Sequence, residues 1–141
     1  MTNLRSDNES PAAPEILDAI IKANRESAHA YGADKFTVAL DKQFSELFET
    51  ECQVFPVATG TAANSLGLAQ VTPPHGAVLC HEQAHIHVDE CGAPEFYCSG
   101  AKLIPIAGEH GRIDPAVLEQ SLEMYGYKGD HEPSLSTLSI T

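Results

Sequence analysis

Residues 57–64 read Val57-Ala58-Thr59-Gly60-Thr61-Ala62-Ala63-Asn64, at the join between two different patterns. The apolar run 52–58 is typical of a short strand, whereas the small residues after Gly60 open a helical pattern. The first turn of a helix has free N–H groups and the positive end of the helix dipole, and both favour a phosphate. The stretch therefore predicts that Gly60 and Thr61 form a phosphate cradle. The alternative is purely structural, with Gly60 as a turn residue and Thr61 as a helix cap.

Helical and strand patterns alternate on both sides of this stretch. The predicted helices begin at Pro14, after Tyr31-Gly32, near Gly60 and at Pro115. The predicted strands are 77–80, 101–106 and the segment that starts at Pro133. Pro105 indicates an edge strand or an irregular strand end, and Phe44 and Phe48 are expected in the core. This order predicts an α/β domain over residues 14–141 with a mostly parallel sheet, preceded by an extended arm, residues 1–13. Ligands of such sheets bind beyond the carboxyl ends of the strands.

The composition restricts the kinds of partner. The 141 residues carry a formal net charge of −12, from 20 acidic and 8 basic side chains. Such a charge repels phosphate backbones and acidic membrane surfaces, so we expect no nucleic-acid or membrane partner. Hydrophobic residues form 43% of the chain, enough for one domain with a core. The segment between Cys52 and Cys80 has no charged residue, but its prolines and glycine predict buried core rather than a bilayer span.

The cysteines and the start of the chain indicate the compartment. The four cysteines are Cys52, Cys80, Cys91 and Cys98. The first residues are polar and charged and contain no apolar signal region. We therefore expect free thiols in a reducing cytoplasm rather than disulfides.

A histidine-rich segment offers two metal-binding hypotheses. The sequence His81-Glu82-Gln83-Ala84-His85 matches the H-E-x-x-H zinc-peptidase motif, which needs both histidines on one helix face. The strand pattern before His81 argues against this, and the third ligand of the longer motif is missing. A structural zinc site from Cys80, His85, His87 and Cys91, with Asp89 as an optional ligand, fits no standard spacing. We therefore predict no metal site, and we expect His81 and His87 to be hydrogen-bonded or exposed.

Four ordered segments carry a resemblance to a known family. They are Asn3-Leu4-Arg5-Ser6-Asp7-Asn8, Ala30-Tyr31-Gly32-Ala33-Asp34, the run 54–68, and Ala84-His85-Ile86 through Glu90-Cys91-Gly92-Ala93. In these segments the chain resembles the low-specificity L-threonine aldolases of the threonine aldolase and β-eliminating lyase family, which use pyridoxal phosphate (PLP). The resemblance implies a fold type I enzyme with a three-layer α/β/α large domain, similar to that of aspartate aminotransferase. It also implies homo-oligomers, dimers or tetramers, with shared sites.

The resemblance assigns roles to particular residues. Gly60 and Thr61 would bind the PLP phosphate, and His85 would stack on the PLP ring and take a proton from the substrate hydroxyl. Ser6 would help bind the substrate carboxylate, and Tyr31 would reach the site of the neighbouring subunit. Three further residues have weaker assignments and purely structural alternatives, which are a turn for Asp7, a helix start for Asn64 and a solvated charge for Glu90.

The implied reaction is cleavage of L-threonine and related β-hydroxy-α-amino acids to glycine and an aldehyde. The resemblance covers only the N-terminal portion of the family's catalytic subunit. None of the five lysines, Lys22, Lys35, Lys42, Lys102 and Lys128, matches the family's cofactor-bearing lysine. We therefore expect an incomplete large domain that is inactive alone. Two alternatives stay open, namely another fold type I enzyme (a β-eliminating lyase or an aminotransferase-like protein) and a non-catalytic fragment or partner-binding subunit.

Overall fold

The computed structural model describes residues 9–126 and 129–140, and the chain divides into two compact units, Met1–Phe55 and Pro56–Thr141. The first unit contains α1 (Pro14–Ala23) and α2 (Lys35–Phe48). The second contains α3 (Gly60–Val71), β1 (Gly76–His81), α4 (His85–Val88), α5 (Ala93–Tyr97), β2 (Lys102–Ile106), β3 (Gly108–Glu109), β4 (Arg112–Ile113), α6 (Pro115–Tyr125) and β5 (Ser134–Leu138). Most of the predicted arm, residues 1–13, lies outside the described residues, and the boundary at Ala13 stays a prediction.

The two helices of the first unit begin where the sequence predicts. Pro14 is the first residue of α1, and Asp34 caps α2. The Asp34 carboxylate accepts hydrogen bonds from the N–H groups of Phe36 and Thr37, at 2.9 and 3.0 Å, and from the Thr37 hydroxyl at 2.6 Å. These bonds, with the Thr37 hydroxyl first, hold the pKa of Asp34 below its ordinary value.

The apolar residues of the first unit are not core residues, which corrects the expectation for Phe44 and Phe48. Their side chains are 36% and 60% exposed, and their rings contact each other with centroids 6.0 Å apart. Neither α1 nor α2 contains a buried residue. The physical reason is that the described part of this unit has no sheet on which two amphipathic helices can bury their apolar faces.

The predicted strand at 52–58 is wrong, because these residues form no ladder. Side chains of α2 accept hydrogen bonds from the backbone N–H groups that would otherwise pair with a neighbouring strand. The N–H of Cys52 donates to the Ser45 hydroxyl at 2.9 Å, and the N–H of Val54 donates to the Asp41 carboxylate at 2.8 Å. Local side-chain acceptors have replaced a sheet partner.

A parallel three-stranded sheet organises the second unit, as the sequence predicts. The strand order is β2-β1-β5, and β1 pairs in parallel with both neighbours. Every residue of β1 is buried, which agrees with its continuous apolar run. Pro105 lies on β2, an edge strand of this sheet, as expected.

A bulge interrupts the pairing of β5 with β1. Ala77 is opposite Leu135, and Val78 is opposite Thr137, so Ser136 is an extra residue. The Thr137 hydroxyl donates to the Val71 carbonyl at 3.3 Å and lies 2.8 Å from the Thr72 hydroxyl. The bulge thus turns Thr137 towards the carboxyl end of α3.

One face of the sheet carries the buried core. Its cluster contains Leu68, Val78, Cys80, Ala84, Ile86, Cys98 and Ala101. All four cysteines are free thiols, as predicted. Burial, followed by the negative charge of Glu95, raises the pKa values of Cys80 and Cys98. No helix among the residues with described structure is both long and apolar enough to cross a bilayer.

A short antiparallel hairpin and a capped helix follow β2. β3 and β4 form the hairpin, with positive φ angles of 56° at His110 and 76° at Gly111. A side chain at Gly108 would collide with the Arg112 carbonyl and the His81 ring, so glycine is required there. Asp114 caps α6 as predicted, because its carboxylate accepts from the Ala116 N–H at 2.7 Å.

We expect the isolated chain to self-associate. Within the described residues, β2 and β5 each have an outer edge without a partner, and Leu17 and Ile20 of α1 are 49% and 58% exposed. Sedimentation velocity at several concentrations should show oligomers. Leu17→Gln with Ile20→Gln should reduce them, whereas Asp18→Asn on the same helix should not. A monomer at every concentration would contradict this prediction.

Candidate active site

The phosphate cradle lies at the N-terminus of α3. Thr59 is extended, with φ −142° and ψ 156°, and its hydroxyl accepts the Ala62 N–H at 3.1 Å. Its carbonyl accepts the Ala63 N–H, also at 3.1 Å. Among the described residues, the N–H groups of Gly60 and Thr61 have no hydrogen-bond partner. Two free donors at the positive end of a three-turn helix form a site suited to an anion.

The space around Gly60 is open. A Cβ atom built on Gly60 meets no atom within 4 Å. The purely structural alternative for this pair is wrong in its details, since Gly60 is the first residue of α3 and Thr59, not Thr61, is the cap. The Thr61 hydroxyl has no partner in the described part of the chain and remains available to a ligand.

The two histidines of the H-E-x-x-H match lie on different elements. His81 is the last residue of β1, and His85 is the first residue of α4. The zinc-peptidase motif needs both on one helix face, and this geometry does not provide that. Across 9–126 and 129–140, no group of three or more His, Cys, Asp or Glu side chains is arranged to hold a metal ion.

Hydrogen bonds occupy both ring nitrogens of His81. The Gln83 N–H donates to Nδ1 at 3.0 Å, so Nδ1 carries no proton. The proton is therefore on Nε2, which donates to the Gly108 carbonyl at 3.1 Å. His81 is buried and hydrogen-bonded and His87 is exposed, in agreement with the expectation for these two residues.

His85 is held by a buried carboxylate. Its Nδ1 lies 2.7 Å from Oε1 of Glu90, and the Asn64 amide donates to the same oxygen at 2.6 Å. The Glu90 side chain is fully buried, whereas the His85 side chain is 57% exposed. The solvated charge considered for Glu90 is therefore wrong. Because Asn64 belongs to α3, Glu90 connects His85 to the helix that carries the phosphate cradle.

The structure brings only some of the predicted site residues together. Gly60, Thr61 and His85 belong to the second unit and are connected through Asn64 and Glu90. Tyr31 lies in the first unit, fully exposed and with a φ angle of 61°. Ser6 lies outside the described residues. The functional roles of all these residues stay predictions.

Sequence reasoning missed two contributions, the cap at Thr59 and the buried contact of Glu90. The Thr59 side chain is three residues before the N–H that it accepts, which is a recognisable capping distance. Glu90 has a weaker signal, since it is five residues after His85 and next to the Cys91-Gly92 turn.

The parallel α/β sheet agrees with the fold class that the resemblance implies, the fold type I of PLP-dependent enzymes, and the family match supports that class. The chain belongs to the beta-eliminating lyase family, whose model matches residues 3–141.

Alignments with similar proteins include most of this chain but only part of each relative's own length. A relative from Pseudomonas sp. is 44% identical over 82% of this chain and 33% of its own length. A relative from Pseudomonas aeruginosa is 47% identical over 79% of this chain and 32% of its own length. Both are named low specificity L-threonine aldolase. The chain thus spans about a third of these curated relatives.

A solved structure has the same fold. The threonine aldolase of Leishmania major superimposes with a TM-score of 0.83 and covers 94% of this chain, at 24% identity. This chain spans 38% of that protein.

The two threonines at the start of α3 should have separable roles. In the protein that contains this chain, Thr61→Val should weaken PLP binding by about 1.5–3 kcal/mol, through loss of a hydrogen bond to a charged group. Its folding stability should hardly change. Thr59→Val is the control, because loss of the helix cap should cost about 1 kcal/mol of folding stability. Cofactor titration and denaturant unfolding measure the two effects, and unchanged PLP affinity in Thr61→Val would exclude a contact between the Thr61 hydroxyl and the phosphate.

Proposed function

We propose that the protein containing this chain is a PLP-dependent aldolase that cleaves L-threonine and related β-hydroxy-α-amino acids to glycine and an aldehyde. Membership of the beta-eliminating lyase family and the names of the two Pseudomonas relatives support the proposal. One observation carries it. A helix N-terminus with two free N–H groups is connected, through Asn64 and Glu90, to a histidine with an exposed ring.

The residues at this site fit PLP. The free N–H groups of Gly60 and Thr61 and the Thr61 hydroxyl are donors for a phosphate, and the open space at Gly60 allows it to approach the backbone. The exposed His85 side chain offers a flat surface for the pyridine ring. When bound, PLP supplies the electron sink that Cα–Cβ cleavage requires.

His85 is suited to proton transfer as well as stacking. Its Nδ1 is hydrogen-bonded to a carboxylate, which cannot donate when ionised, so Nδ1 carries the proton. In the neutral ring Nε2 then has the free lone pair. We propose that Nε2 accepts the proton of the substrate β-hydroxyl, which is the general-base role in this cleavage.

The remaining functional assignments belong to the same proposal. Ser6 would help bind the substrate carboxylate, and Tyr31 would reach the site of a neighbouring subunit in a homo-oligomer. The full exposure of Tyr31 is compatible with such a contact. We also propose a cytoplasmic location, which the four free cysteines support.

We further propose that no lysine of this chain carries the cofactor covalently. Lys22, Lys35, Lys42 and Lys102 are all exposed. Lys128 lies outside the described residues. Borohydride reduction of the purified chain with PLP, followed by peptide mapping, should give only scattered, substoichiometric labelling. A single stoichiometric lysine adduct together with threonine cleavage would contradict this prediction.

Substitutions at His85 test the proposed function directly. His85→Ala should lower turnover of L-threonine and weaken PLP binding, because it removes both the ring surface and the nitrogens. His85→Phe should retain PLP binding better than turnover, because it keeps a flat ring without a proton acceptor. The turnover loss should be about 10²–10⁴-fold, the usual contribution of a positioned general base.

His87→Phe is the matched control, since His87 is exposed on the same short helix. It should leave turnover and PLP affinity near the values of the unsubstituted protein. Glycine and acetaldehyde formation measures the aldolase reaction, and release of pyruvate from a β-substituted alanine measures β-elimination. A protein that performs only the second reaction would refute the aldolase proposal.

A further inference from the structure

Glu90 is an ionisable residue in an unusual environment. Its side chain is fully buried, yet both of its described hydrogen bonds, from His85 and Asn64, reach a single oxygen, Oε1. Oε2 is also buried and has no partner among the described residues. A buried carboxylate with an unsatisfied oxygen lowers the folding stability of a protein. Replacing such a buried charged group by an apolar side chain of similar volume often leaves the folding stability unchanged. Stability alone therefore does not account for a glutamate at this position.

The backbone around Glu90 fixes where its carboxylate lies. The Glu90 carbonyl accepts the Ala93 N–H at 2.9 Å, which closes a turn between α4 and α5. The next two residues, Cys91 and Gly92, have positive φ angles of 50° and 76°. Pro94, two residues after Gly92, is among the most deeply buried side chains. A turn that is held in this way places the carboxylate before any ligand binds.

The neighbouring histidines show what Glu90 adds. His87 is exposed and has no hydrogen-bond partner in the described part of the chain, so its neutral ring is free to place the proton on either nitrogen. His85 lies one half-turn away on the same helix, and only its Nδ1 contacts Glu90. Because an ionised carboxylate accepts but cannot donate, this contact selects the form with the proton on Nδ1.

We propose that Glu90 is a positioning residue that sets the tautomer and the ring orientation of His85, and that Asn64 couples this setting to the helix that carries the phosphate cradle. The proposal deepens the aldolase assignment and rests on it for the use of Nε2. The Nδ1–H donates to Glu90 Oε1, so that Nε2 keeps its lone pair for the proton that moves in the reaction. Asn64, one turn after Gly60 on α3, holds the same oxygen from the other side.

Nitrogen NMR of the imidazoles tests the tautomer without any cofactor. The full chain is labelled with ¹⁵N-histidine and measured above the pH range in which imidazole titrates. His85 should show mainly the Nδ1–H form, whereas His87 should show a mixture. In Glu90→Leu the ratio of the Nδ1–H to the Nε2–H form should fall by about tenfold or more, as expected on loss of a hydrogen bond to a charged acceptor. Glu90→Gln keeps an acceptor oxygen without the charge and should give an intermediate ratio.

Asp89→Asn is the matched control, because it removes an adjacent and exposed carboxylate. It should leave the His85 ratio unchanged. Amide signals of β1 report whether each variant is folded. If Glu90→Leu fails to fold, Glu90→Gln alone decides, and an unchanged ratio in it overturns the proposal. A predominant Nε2–H form of His85 in the unsubstituted chain overturns it as well.

Kinetics of the protein that contains this chain supply the second measurement. Per folded and PLP-saturated molecule, Glu90→Leu should lower kcat for L-threonine by at least about tenfold, with a smaller change in KM, because an incorrectly oriented base loses part of its contribution. An unchanged kcat overturns the proposal. If the unsubstituted protein cleaves no threonine but the Glu90-dependent tautomer is observed, the aldolase assignment fails while the control of His85 by Glu90 stands.

Discussion

The central strand β1 is the constraint on which the rest of the second unit depends. It is paired on both edges and buried along its whole length, so its backbone groups must be satisfied by β2 and β5. Parallel pairing also requires each connection to cross from one end of the sheet to the other. The chain after His81 must therefore leave at the carboxyl end of β1, and this places α4 and His85 beside the start of α3.

The sequence predicts the elements whose signals are local. β1 and the sheet class follow from a continuous apolar run between helical patterns, and α6 follows from the capping aspartate and the proline after it. The segment 52–58 has an equally apolar sequence but forms no strand, because Ser45 and Asp41 bind its N–H groups. The acceptor that a backbone N–H binds depends on tertiary structure, so composition and periodicity do not predict it.

In the candidate site, too, some residues have a local sequence signal and others depend on tertiary contacts. Gly60 and Thr61 are recognisable because a glycine and a threonine followed by small residues form a local signature of a helix start. The spacing of His81 and His85 matches a zinc motif, the strand pattern before His81 argues against it, and only the resemblance to a family selects His85. The burial of Glu90 depends on packing between α3 and the turn after α4, which no local pattern predicts.

The bulge at Ser136 determines which side chains of β5 lie on each face of the sheet. Leu135 and Leu138 are three residues apart, and strict alternation would place them on opposite faces of the sheet. Ser136 is the extra residue of β5, at the point where the pairing passes from Ala77 to Val78 of β1. Both leucines therefore lie on the face of Ala77 and Leu79, and Thr137 lies on the face that packs against α3. Loss of Ser136 alone would leave Leu135 and Leu138 two residues apart, so a regular strand would keep both on the same face. Loss of Ser136 and Thr137 together would make the two leucines adjacent and place them on opposite faces. Sequences related to this one should therefore tolerate loss of the single bulge residue at position 136 more readily than loss of two residues between the leucines.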